Sequence, residues 1–588
     1  KSLGLSGSKV YDGTDVVLAS ELPTVTGLIG SETVVTGSQT TTAGSTATKK
    51  NVANNVTITS NASGITLADG SNGGLAANYT LTGGTHQVNI TKAPITIGLA
   101  RQYDGTTNAS SNATDSNTTE SYSGLVGSET LTLSGQGSVA SKNVSGSSQS
   151  VTLGTLALGN QAGATASSGG LASNYNLTSA ALTINKKVLN SNSSRIYNAT
   201  TTAAASDITL TNQVSGEALQ LSNAAATSNA NVGSYSISNL SGITISDEAG
   251  ANASSGALAA NYTLTGGTHA FAINRKSVNI AGTRQYDGTT NIAAADISSI
   301  TDTVNSEVLT MSGGLGTTTS ANVGAYNLVN TSQGTLTLAN GPSGANQGLA
   351  SNYTLTGGTQ DYTITQRVLN SSGSKIYDAN TDALAADITL GNLVSGEALN
   401  HSGTATISSA NAGSYTISNL TGITIADGSG GAASNYTLTG GTHNFTVNRR
   451  VVSVQGNKTY DANTTISAGN ITSVTGTVGS QTLVISGGSG TVSSANVATY
   501  SSADINEGTL TLGNGTNGGL ATNYTLTGQA SSSFQINQRA LNSSGSRIYD
   551  GSSTASSSDL TLSNLVGTET LTLSGSGTLA DANVATNK

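Results

Sequence analysis

The chain of 588 residues contains no cysteine and no tryptophan, and it has only three prolines and three phenylalanines. Without cysteine, no disulfide can stabilise the fold, so stability must come from apolar burial and from contacts between domains. The absence of thiols also suits a chain that crosses a membrane unfolded. Any hydrophobic core must be built from valine, isoleucine, leucine, alanine and the 19 tyrosines.

Charged residues are scarce as well, at 9% of the chain, while hydrophobic residues make up 35%. Disordered chains usually combine low hydrophobicity with high charge, so this composition favours a folded protein. The net charge of −9 disfavours nucleic-acid binding, because phosphate recognition needs clustered lysine and arginine. No apolar run reaches the roughly 20 residues that span a bilayer, and no signal-peptide pattern is present.

What the chain does contain is a tyrosine signal that returns about every 90 residues. A basic residue lies two positions before each tyrosine, and in most copies an aspartate follows it. The signature residues are Tyr11, Asp12, Tyr103, Asp104, Tyr197, Tyr286, Asp287, Tyr377, Asp378, Tyr460, Asp461, Tyr549 and Asp550. A period of this length corresponds to one whole domain per repeat.

The signal divides the chain into six whole modules and a truncated seventh. The predicted boundaries are 1–92, 93–186, 187–275, 276–366, 367–449, 450–538 and 539–588. Odd modules open with a serine-rich segment such as 369–375, whereas even modules open with alternating residues such as 278–280. The repeating unit is therefore a pair of unlike modules, and the unfinished seventh leads us to expect a piece of a longer protein.

Three further landmarks recur in a fixed order within the modules. A glutamate precedes an apolar pair, an Ala-Asn-Val or Ala-Asn-Ala segment precedes a tyrosine, and an Asn-Tyr segment lies near the end. The glutamates are Glu32, Glu129, Glu217, Glu307, Glu397 and Glu569, with Gln481 in the sixth module. The asparagines of the Asn-Tyr segment are Asn78, Asn174, Asn261, Asn352, Asn435 and Asn523.

Alternating apolar and polar residues run through the modules, as in Leu336-Thr337-Leu338. Alternation with β-branched threonine, bounded by glycine, asparagine and serine, predicts half-buried antiparallel strands. The predicted fold is all-β: a rod-like tandem array of antiparallel β-sandwich modules of the immunoglobulin-like kind. The sequence Asn-Ala-Gly-Ser-Tyr-Thr-Ile at 411–417 resembles a tyrosine corner, whose hydroxyl bonds back to the preceding loop. Grasp-like β modules with one curved sheet are the alternative.

Basic residues concentrate where the modules join. These junction residues are Lys92, Lys186, Lys187, Arg275, Lys276, Arg367, Arg449, Arg450 and Arg539. No proline-rich or glycine-serine spacer separates the modules, so the linkers are short. The pattern predicts semi-rigid joins fixed by these basic side chains, against acidic groups of the neighbouring module. Ordinary solvated charges near chain turns are the alternative.

The Tyr-Asp-Gly segment could begin a cation-binding loop, but no second carboxylate recurs beside it, so no metal site is predicted. The favoured interpretation is a turn in which the aspartate caps its own backbone beside a buried tyrosine. Alanine replaces the glycine at Ala199, Ala379 and Ala462, from which we expect that a positive φ is not required there.

Histidine recurs near the ends of odd modules, at His86, His269 and His443, without a cysteine or second histidine nearby. This pattern predicts surface side chains at strand ends and not zinc ligands. No nucleophile–base pair, phosphate loop or paired carboxylate recurs with the modules. The sequence therefore predicts no catalytic residues, no cofactor and no enzymatic activity.

The succession of Tyr-Asp-Gly, Gly-x-Glu, Asn-Val-Gly-x-Tyr and Asn-Tyr-x-Leu resembles the YDG-type repeat of large secreted proteins similar to filamentous haemagglutinins of Gram-negative bacteria. The likeness spans the chain and departs from the pattern in the Tyr-Asn-Ala and Tyr-Asp-Ala copies. It implies an extracellular, cell-surface location, export through an outer-membrane secretion partner, and a place in an adhesin or biofilm matrix protein. It implies no catalytic residues.

Two functions of different classes follow from these observations. In the first, the chain is a semi-rigid stalk or self-associating filament whose partners are neighbouring copies of itself. In the second, the modules bind host or surface glycans, each weakly but with avidity from repetition. Self-complementary edges would favour the first function, and exposed aromatic rings on one face of every module would favour the second.

Overall fold

The computed structural model describes every residue except 39–44, 47–48, 59–61, 63, 112–117, 166–168, 238–239, 241, 252–255, 418–419 and 529–530. This described part consists of short β-strands and 3-10 turns, without an α-helix. The predicted all-β tandem organisation is therefore confirmed. No helical segment in the described ranges is long and apolar enough to cross a membrane.

A four-stranded sheet forms one layer of each of the first six modules. Its leading strand opens the module, and its closing strand lies next to the leading strand and ends the module. The leading strands are Gly4–Val10, Ala93–Gln102, Asn190–Ile196, Asn279–Gln285, Asn370–Ile376, Ser453–Thr459 and, in the seventh module, Asn542–Gly545. The closing strands are His86–Thr91, Tyr175–Asn185, His269–Asn274, Gln360–Thr365, His443–Asn448 and Ser533–Asn537.

The two outer strands of this sheet pair antiparallel with the central ones. Beside the leading strands lie Thr24–Thr26, Thr119–Ser123, Leu210–Thr211, Ile297–Thr301, Ile388–Gly391, Ile471–Thr475 and Leu560–Ser563. Beside the closing strands lie Ala53–Thr57, Gln149–Ser150, Gly233–Ser236, Gly324–Tyr326, Gly413–Thr416 and Ala498–Ser501.

The leading and closing strands pair in parallel, from Leu5 opposite His86 to Val10 opposite Thr91 in the first module. The alternating sequence predicts antiparallel strands throughout, and this parallel pair differs from that prediction. Alternation reports which face of a strand is buried, but it does not report the direction of the strand. A parallel pair needs a long crossover connection, and here the rest of the module supplies it. Each module therefore begins and ends side by side.

The second layer of each module consists of short antiparallel pieces, which differ between odd and even modules. Modules three and five have a three-stranded sheet with one long strand: Thr202–Ala204, Gln220–Ala226 and Ile243–Ser246, and then Asp382–Leu384, Leu399–Thr406 and Ile423–Asp427. In modules two, four and six the long strand is interrupted at a glycine of positive φ, Gly135, Gly314 or Gly488. The strands of these even modules are Asn108–Ser110, Leu131–Ser134, Gln136–Ser138 and Ala157–Asn160; Asn291–Ala293, Leu309–Gly313, Leu315–Thr318, Thr331–Ser332 and Thr337–Asn340; and Thr465–Ser467, Leu483–Gly487, Ser489–Val492, Ile505–Asn506 and Thr511–Asn514.

Short ladders and turns complete the described elements. In the end modules, Val16–Val17 pairs with Ser45–Thr46, Val34–Ser38 with Ile65–Asp69, and Thr554–Ser556 with Ser576–Thr578. Parallel ladders of two residues tie the starts of modules three to six to their Asn-Tyr segments: Lys187–Val188 with Tyr262–Thr263, Lys276–Ser277 with Tyr353–Thr354, Arg367–Val368 with Tyr436–Thr437, and Arg450–Val451 with Tyr524–Thr525. The 3-10 turns are Ala19–Glu21, Ala76–Asn78, Ala172–Asn174, Ala205–Asp207, Ala259–Asn261, Ala294–Asp296, Val304–Ser306, Leu328–Asn330, Ala350–Asn352, Ala385–Asp387, Ala433–Asn435, Ala468–Asn470, Ser502–Asp504, Ala521–Asn523 and Ser557–Asp559.

A tyrosine corner is present in the middle of modules three to six, as the sequence predicts. The Tyr415 hydroxyl donates to the Asn411 carbonyl at 2.6 Å. The same bond to the carbonyl four residues upstream is made by Tyr235, Tyr326 and Tyr500. Because the hydroxyl is satisfied by its own loop, the ring can be partly buried at little cost.

Two compact units make up the chain. The first consists of Lys1–Val278, Asp302–Thr310 and Leu338–Gly357, and the second of Asn279–Thr301, Met311–Thr337 and Gly358–Lys588. The fourth module contributes to both units.

Hydrophobic cores extend across module boundaries within each unit. In the first unit, Leu3 and Leu5 of the first module share one core with Ile95 and Tyr175 of the second. In the second unit, the core that contains Phe445 of the fifth module also contains residues of the sixth, such as Tyr524. Since burial of apolar surface is the main stabilising contribution in folding, successive modules inside a unit stabilise each other.

Candidate functional site: the junction between consecutive modules

The Tyr-Asp-Gly signal forms a tight turn that directly follows the leading strand. In the first module, Asp12 accepts a hydrogen bond from the Thr14 backbone N–H at 2.9 Å and another from the Thr14 hydroxyl at 2.9 Å. Aspartate and asparagine form such turns because their short side chains reach the backbone two residues on. The predicted aspartate cap is therefore confirmed.

The basic residue before each tyrosine closes the same turn from inside. Lys9 is 2% exposed, and its ammonium group lies 2.9 Å from Asp12 Oδ1 and 2.5 Å from the Val16 carbonyl oxygen. A buried charge is tolerated only when it is paired and hydrogen-bonded. The equivalent pairs are Arg101–Asp104, Arg284–Asp287, Lys375–Asp378, Lys458–Asp461 and Arg547–Asp550.

The glycine position of the turn has a positive φ in every copy. The angle is 75° at Gly13 and 78° at Gly288, and it is 60° at Ala199, 65° at Ala379 and 58° at Ala462. Our expectation that a positive φ is not required at this position was wrong, because the alanine copies adopt it as well. Alanine is strained in this region by roughly 1 kcal/mol relative to glycine.

Five signature tyrosines reach out of their own modules and bond to the glutamate of the next one: Tyr11, Tyr103, Tyr197, Tyr286 and Tyr460. The Tyr11 hydroxyl donates to Glu129 Oε1 at 2.5 Å, and the Tyr175 hydroxyl donates to Glu129 Oε2 at 2.6 Å. Tyr175 belongs to the Asn-Tyr segment of the second module, and its oxygen accepts from the Val126 N–H at 3.0 Å. One carboxylate thus joins a tyrosine of each module, and we call this arrangement the tyrosine–glutamate node.

The node recurs with nearly constant geometry. Its members in the next three junctions are Tyr103, Glu217 and Tyr262; Tyr197, Glu307 and Tyr353; and Tyr286, Glu397 and Tyr436. In these three nodes the two rings meet edge to face, with centroids 5.4 Å apart and planes at 77° to 79°. This arrangement is the favoured one for aromatic pairs, so the rings add attraction to the two hydrogen bonds.

The fifth node contains Gln481 in place of glutamate and keeps the same form. Gln481 Oε1 accepts from the Tyr524 hydroxyl at 2.5 Å, and Gln481 Nε2 donates to the Tyr377 oxygen at 3.0 Å. The rings of Tyr377 and Tyr524 lie 5.2 Å apart. The node therefore depends on two-point hydrogen bonding and not on negative charge alone.

A second contact lies beside each node, in which the asparagine of the Asn-Tyr segment binds the mid-module loop of the preceding module. Asn174 Oδ1 accepts from the Val52 N–H at 3.1 Å, and Asn174 Nδ2 donates to Asn51 Oδ1 at 2.9 Å. The same pair of bonds is made by Asn261, Asn352, Asn435 and Asn523. These five asparagines are fully buried, and we call the contact the asparagine clasp.

Burial and the glutamate determine the protonation of the node. Burial first, and then the hydrogen bond to glutamate, raise the pKa of Tyr175, Tyr197, Tyr286 and Tyr436 to about 12. Burial alone would raise the pKa of Glu129, but hydrogen bonds from its two tyrosines and from the Gly170 backbone, together with the charge of Lys50, outweigh it and leave that pKa below its usual value. At neutral pH the node of Glu129 is therefore a carboxylate between two protonated phenols, because burial raises the pKa of both Tyr11 and Tyr175.

Three of the basic residues predicted at the joins have partners other than the expected acidic groups of the neighbouring module. Arg367 donates to the Asn392 carbonyl at 2.6 Å and to the Tyr286 carbonyl at 3.4 Å, so it bridges the fifth module and the turn of the fourth. Arg539 makes the same bonds to Asn564 and Tyr460. Lys276 pairs with Asp302, which belongs to its own module, at 3.0 Å. Both arginines thus bridge two modules by donating to backbone carbonyl groups, because the neighbouring turn presents its backbone at that point.

The recurring histidines lie at strand ends as predicted, but they are buried, so the expected surface position was wrong. His269 and His443 are 4% and 6% exposed. Nδ1 of His443 lies 2.9 Å from the Ser371 hydroxyl, and Nε2 lies 2.8 Å from the Leu438 carbonyl. Both ring nitrogens of His443 are satisfied within its own module, so this side chain has a structural role. No group of three or more potential metal ligands occurs in the described part of the chain.

Sequence reasoning placed the tyrosines, glutamates and asparagines as landmarks but did not bring them together. Their shared period was the available signal, because side chains that recur in step across unlike modules must serve a feature common to all of them. The sequence cannot show that one tyrosine and one asparagine act on a neighbouring module. That information lies in the parallel closing strand, which returns the chain to the place where the module began.

Comparison with known proteins gives one family. A sequence model described as the YDG domain matches residues 2–88, 86–184, 178–270, 272–367, 360–443 and 535–588. The unmatched interval holds most of the sixth module, whose strands Ser453–Thr459 and Ser533–Asn537 nevertheless pair in parallel as in the other modules. A search of the curated proteins found no match.

Proposed function

Since the chain belongs to the YDG domain family, we propose that it is the structural repeat region of a secreted bacterial surface protein, where it forms a semi-rigid stalk or self-associating filament. The observation that carries this proposal is the convergence of the recurring landmarks on one kind of junction. A chain selected to hold its modules in fixed contact would repeat these residues, and a chain of independent binding domains would not need to.

Burial of the repeated tyrosines supports the structural role over an adhesive one. The signature tyrosines of the first five modules are 0% to 5% exposed, so they offer no face on which a sugar could stack. Among the described residues, the aromatic ring that is mostly exposed is Tyr549, at 60%. In the part of the chain that the structure describes, glycans therefore find no recurring exposed aromatic rings on which to stack. The proposal assigns the chain no catalytic chemistry and no cofactor.

Electron cryomicroscopy of the native material tests the proposal. A fibre whose axial repeat matches one or two modules, or a single-chain stalk of constant spacing, is the expected result. Immunogold labelling of intact cells should place the chain outside the outer membrane. Modules that vary freely in their spacing and orientation, or labelling confined to the cell interior, would contradict the proposal.

A further inference from the structure

The leading and closing strands of a module are also the places where the chain enters and leaves it. In the third module the chain enters through Asn190–Ile196 and leaves through His269–Asn274. These two strands are parallel neighbours with six residues of each in register, and Ile196 lies opposite Asn274. The entry therefore lies at one end of the pair and the exit lies at the other. We call the pairing of these two strands the terminal ladder.

Tension along the chain loads the terminal ladder in shear. A pull at the entry draws the leading strand towards its start, and a pull at the exit draws the closing strand towards its end. Because the strands are parallel, these are opposite directions along one axis, and the evenly spaced hydrogen bonds between the strands share the load. Antiparallel strands would place entry and exit at the same end, and the same tension would break the bonds one after another.

Side chains reinforce the terminal ladder of the third module. The Ser191 hydroxyl of the leading strand lies 3.1 Å from Nδ1 of its register partner His269. The Arg195 guanidinium carbon lies 5.9 Å from the centroid of the Phe271 ring on the closing strand. Phe271 and Ile273 are 1% and 2% exposed, so this face of the ladder is shielded from water. Water therefore cannot replace a stretched hydrogen bond from that side.

Terminal ladders follow one another along the chain. Six residues of each strand are in register in modules one, three, four and five, five residues in module six, and ten in module two, where one register shift interrupts them. The closing strand of the third module ends at Asn274, and the leading strand of the fourth begins at Asn279. With so few residues between them, tension passes from one ladder to the next without a long linker.

We propose that the first six modules bear tension along the chain, and that the terminal ladder of each is the element that resists it. This rests on the proposed function as a stalk and adds the load that the stalk transmits. Forced unfolding reports the barrier to unfolding and not the equilibrium stability. One and the same module should therefore resist strongly when it is pulled from entry to exit, and weakly when the ladder is pulled apart from one end.

Optical tweezers measure this difference in the 588-residue chain, because it contains no cysteine and thiol handles can be placed at chosen positions. Lys186→Cys with Arg275→Cys puts the handles at the entry and exit of the third module, at two exposed side chains. Ile196→Cys with Arg275→Cys puts both handles at the same end of the ladder, and Ile196 is 61% exposed.

Pulling from entry to exit should give a mean rupture force at least about twofold higher than pulling from the same end, because the bonds then share the load. Unfolding from entry to exit should lengthen the tether by about 300 Å, since about 90 residues extend by roughly 3.4 Å each. Equal forces in the two directions, or a larger force from the same end, would overturn the inference.

The fifth module gives an independent set of handles, so the comparison does not depend on one group of substitutions. Gln366 lies before its leading strand, Ile376 ends that strand opposite Asn448, and Arg449 follows the closing strand; all three handle positions are exposed. The same ratio of forces is expected there. Equal forces together with constant module spacing in electron micrographs refute the load-bearing ladder and leave the proposed stalk standing. Freely varying spacing refutes the stalk itself.

Discussion

At the scale of single residues, the junction depends on one side chain that accepts two hydroxyl groups. Glu217 accepts from Tyr103 at 2.6 Å and from Tyr262, and its side chain is 7% exposed. A carboxylate removed from water needs such partners, because an unsatisfied buried acceptor costs about 1–3 kcal/mol. Glutamate can accept at both oxygens, whereas Gln481 must accept at one atom and donate at the other.

Replacement of the signature tyrosine should therefore weaken one junction without altering its shape. In Tyr103→Phe the ring remains and Glu217 loses one donor, so we expect a loss of about 1–3 kcal/mol in local stability. Hydrogen exchange around Val214 and calorimetric melting would measure it. Tyr549→Phe is the control, because that hydroxyl has no node to bond in the isolated chain. Equal effects of the two substitutions would contradict the role given to the node.

Strain at the alanine turns gives a second residue-scale prediction. Ala379 has φ 65°, so Ala379→Gly should stabilise the fifth module by about 0.5–1 kcal/mol, even after the greater freedom of glycine in the unfolded chain is counted. Gly288→Ala should destabilise, because φ is 78° and its Cβ would lie 2.8 Å from Val394. Denaturant unfolding of both variants measures whether each substitution raises or lowers the free energy of unfolding. A loss of stability in Ala379→Gly would show that the turn is not strained.

At the scale of structural elements, the asparagine clasp ties a loop of one module to the 3-10 turn of the next. Asn352 accepts from the Val232 N–H at 2.9 Å and donates to Asn231 at 2.9 Å. Backbone N–H groups that are removed from water are nearly always paired, and this one finds its partner in another module. The parallel closing strand makes the clasp possible by placing the end of each module beside its beginning.

Removal of the clasp should loosen the junction and spare the modules. In Asn352→Ala the Val232 N–H loses its acceptor, so faster hydrogen exchange is expected at residues 231 and 232, with about 1–3 kcal/mol lost locally. The β-sheet of the third module should keep its protection. Asn78→Ala alters the equivalent side chain where it is exposed, and no change is expected. Uniform loss of protection over the whole third module would argue against a local contact.

At the scale of the whole molecule, the nodes link stability to alkaline pH. The pKa of Tyr175, Tyr197, Tyr286 and Tyr436 is about 12 in the folded chain, against about 10 in an unfolded one. A raised folded pKa means that the stabilisation is complete below pH 10 and disappears as the pH rises through 12. We therefore expect cooperative unfolding within that window.

Spectrophotometric titration follows the ionisation of these tyrosines directly through tyrosinate absorbance. In the folded chain these tyrosines should stay protonated until the structure is lost, and in denaturant all tyrosines should ionise near pH 10. On the acid side, the lowered pKa of Glu129 predicts that its contribution persists above the ordinary carboxyl range and fades only below it. Smooth ionisation of every tyrosine near pH 10 in the folded protein would contradict the buried node.

Much of this molecule could be predicted from its residues. Alternation of threonine with leucine and isoleucine predicts β-strands, because successive side chains of an extended strand point to opposite faces, so a period of two places the apolar ones on one face. The spacing of Tyr11, Tyr103 and their successors determines the module count, and the Asp12 side chain determines its own turn. These features depend on residues that lie close together in the chain, so the sequence alone was sufficient.

Only the tertiary structure decided which residues meet. Tyr11 and Glu129 lie in different modules, and the period by itself does not tell whether a tyrosine meets the glutamate of its own module or that of the next one. The direction of the closing strand was also undetermined, since parallel and antiparallel strands share the same alternation. Because that strand returns the chain to the start of its module, the landmarks of two neighbours converge, and the contact between modules becomes the repeated feature of the protein.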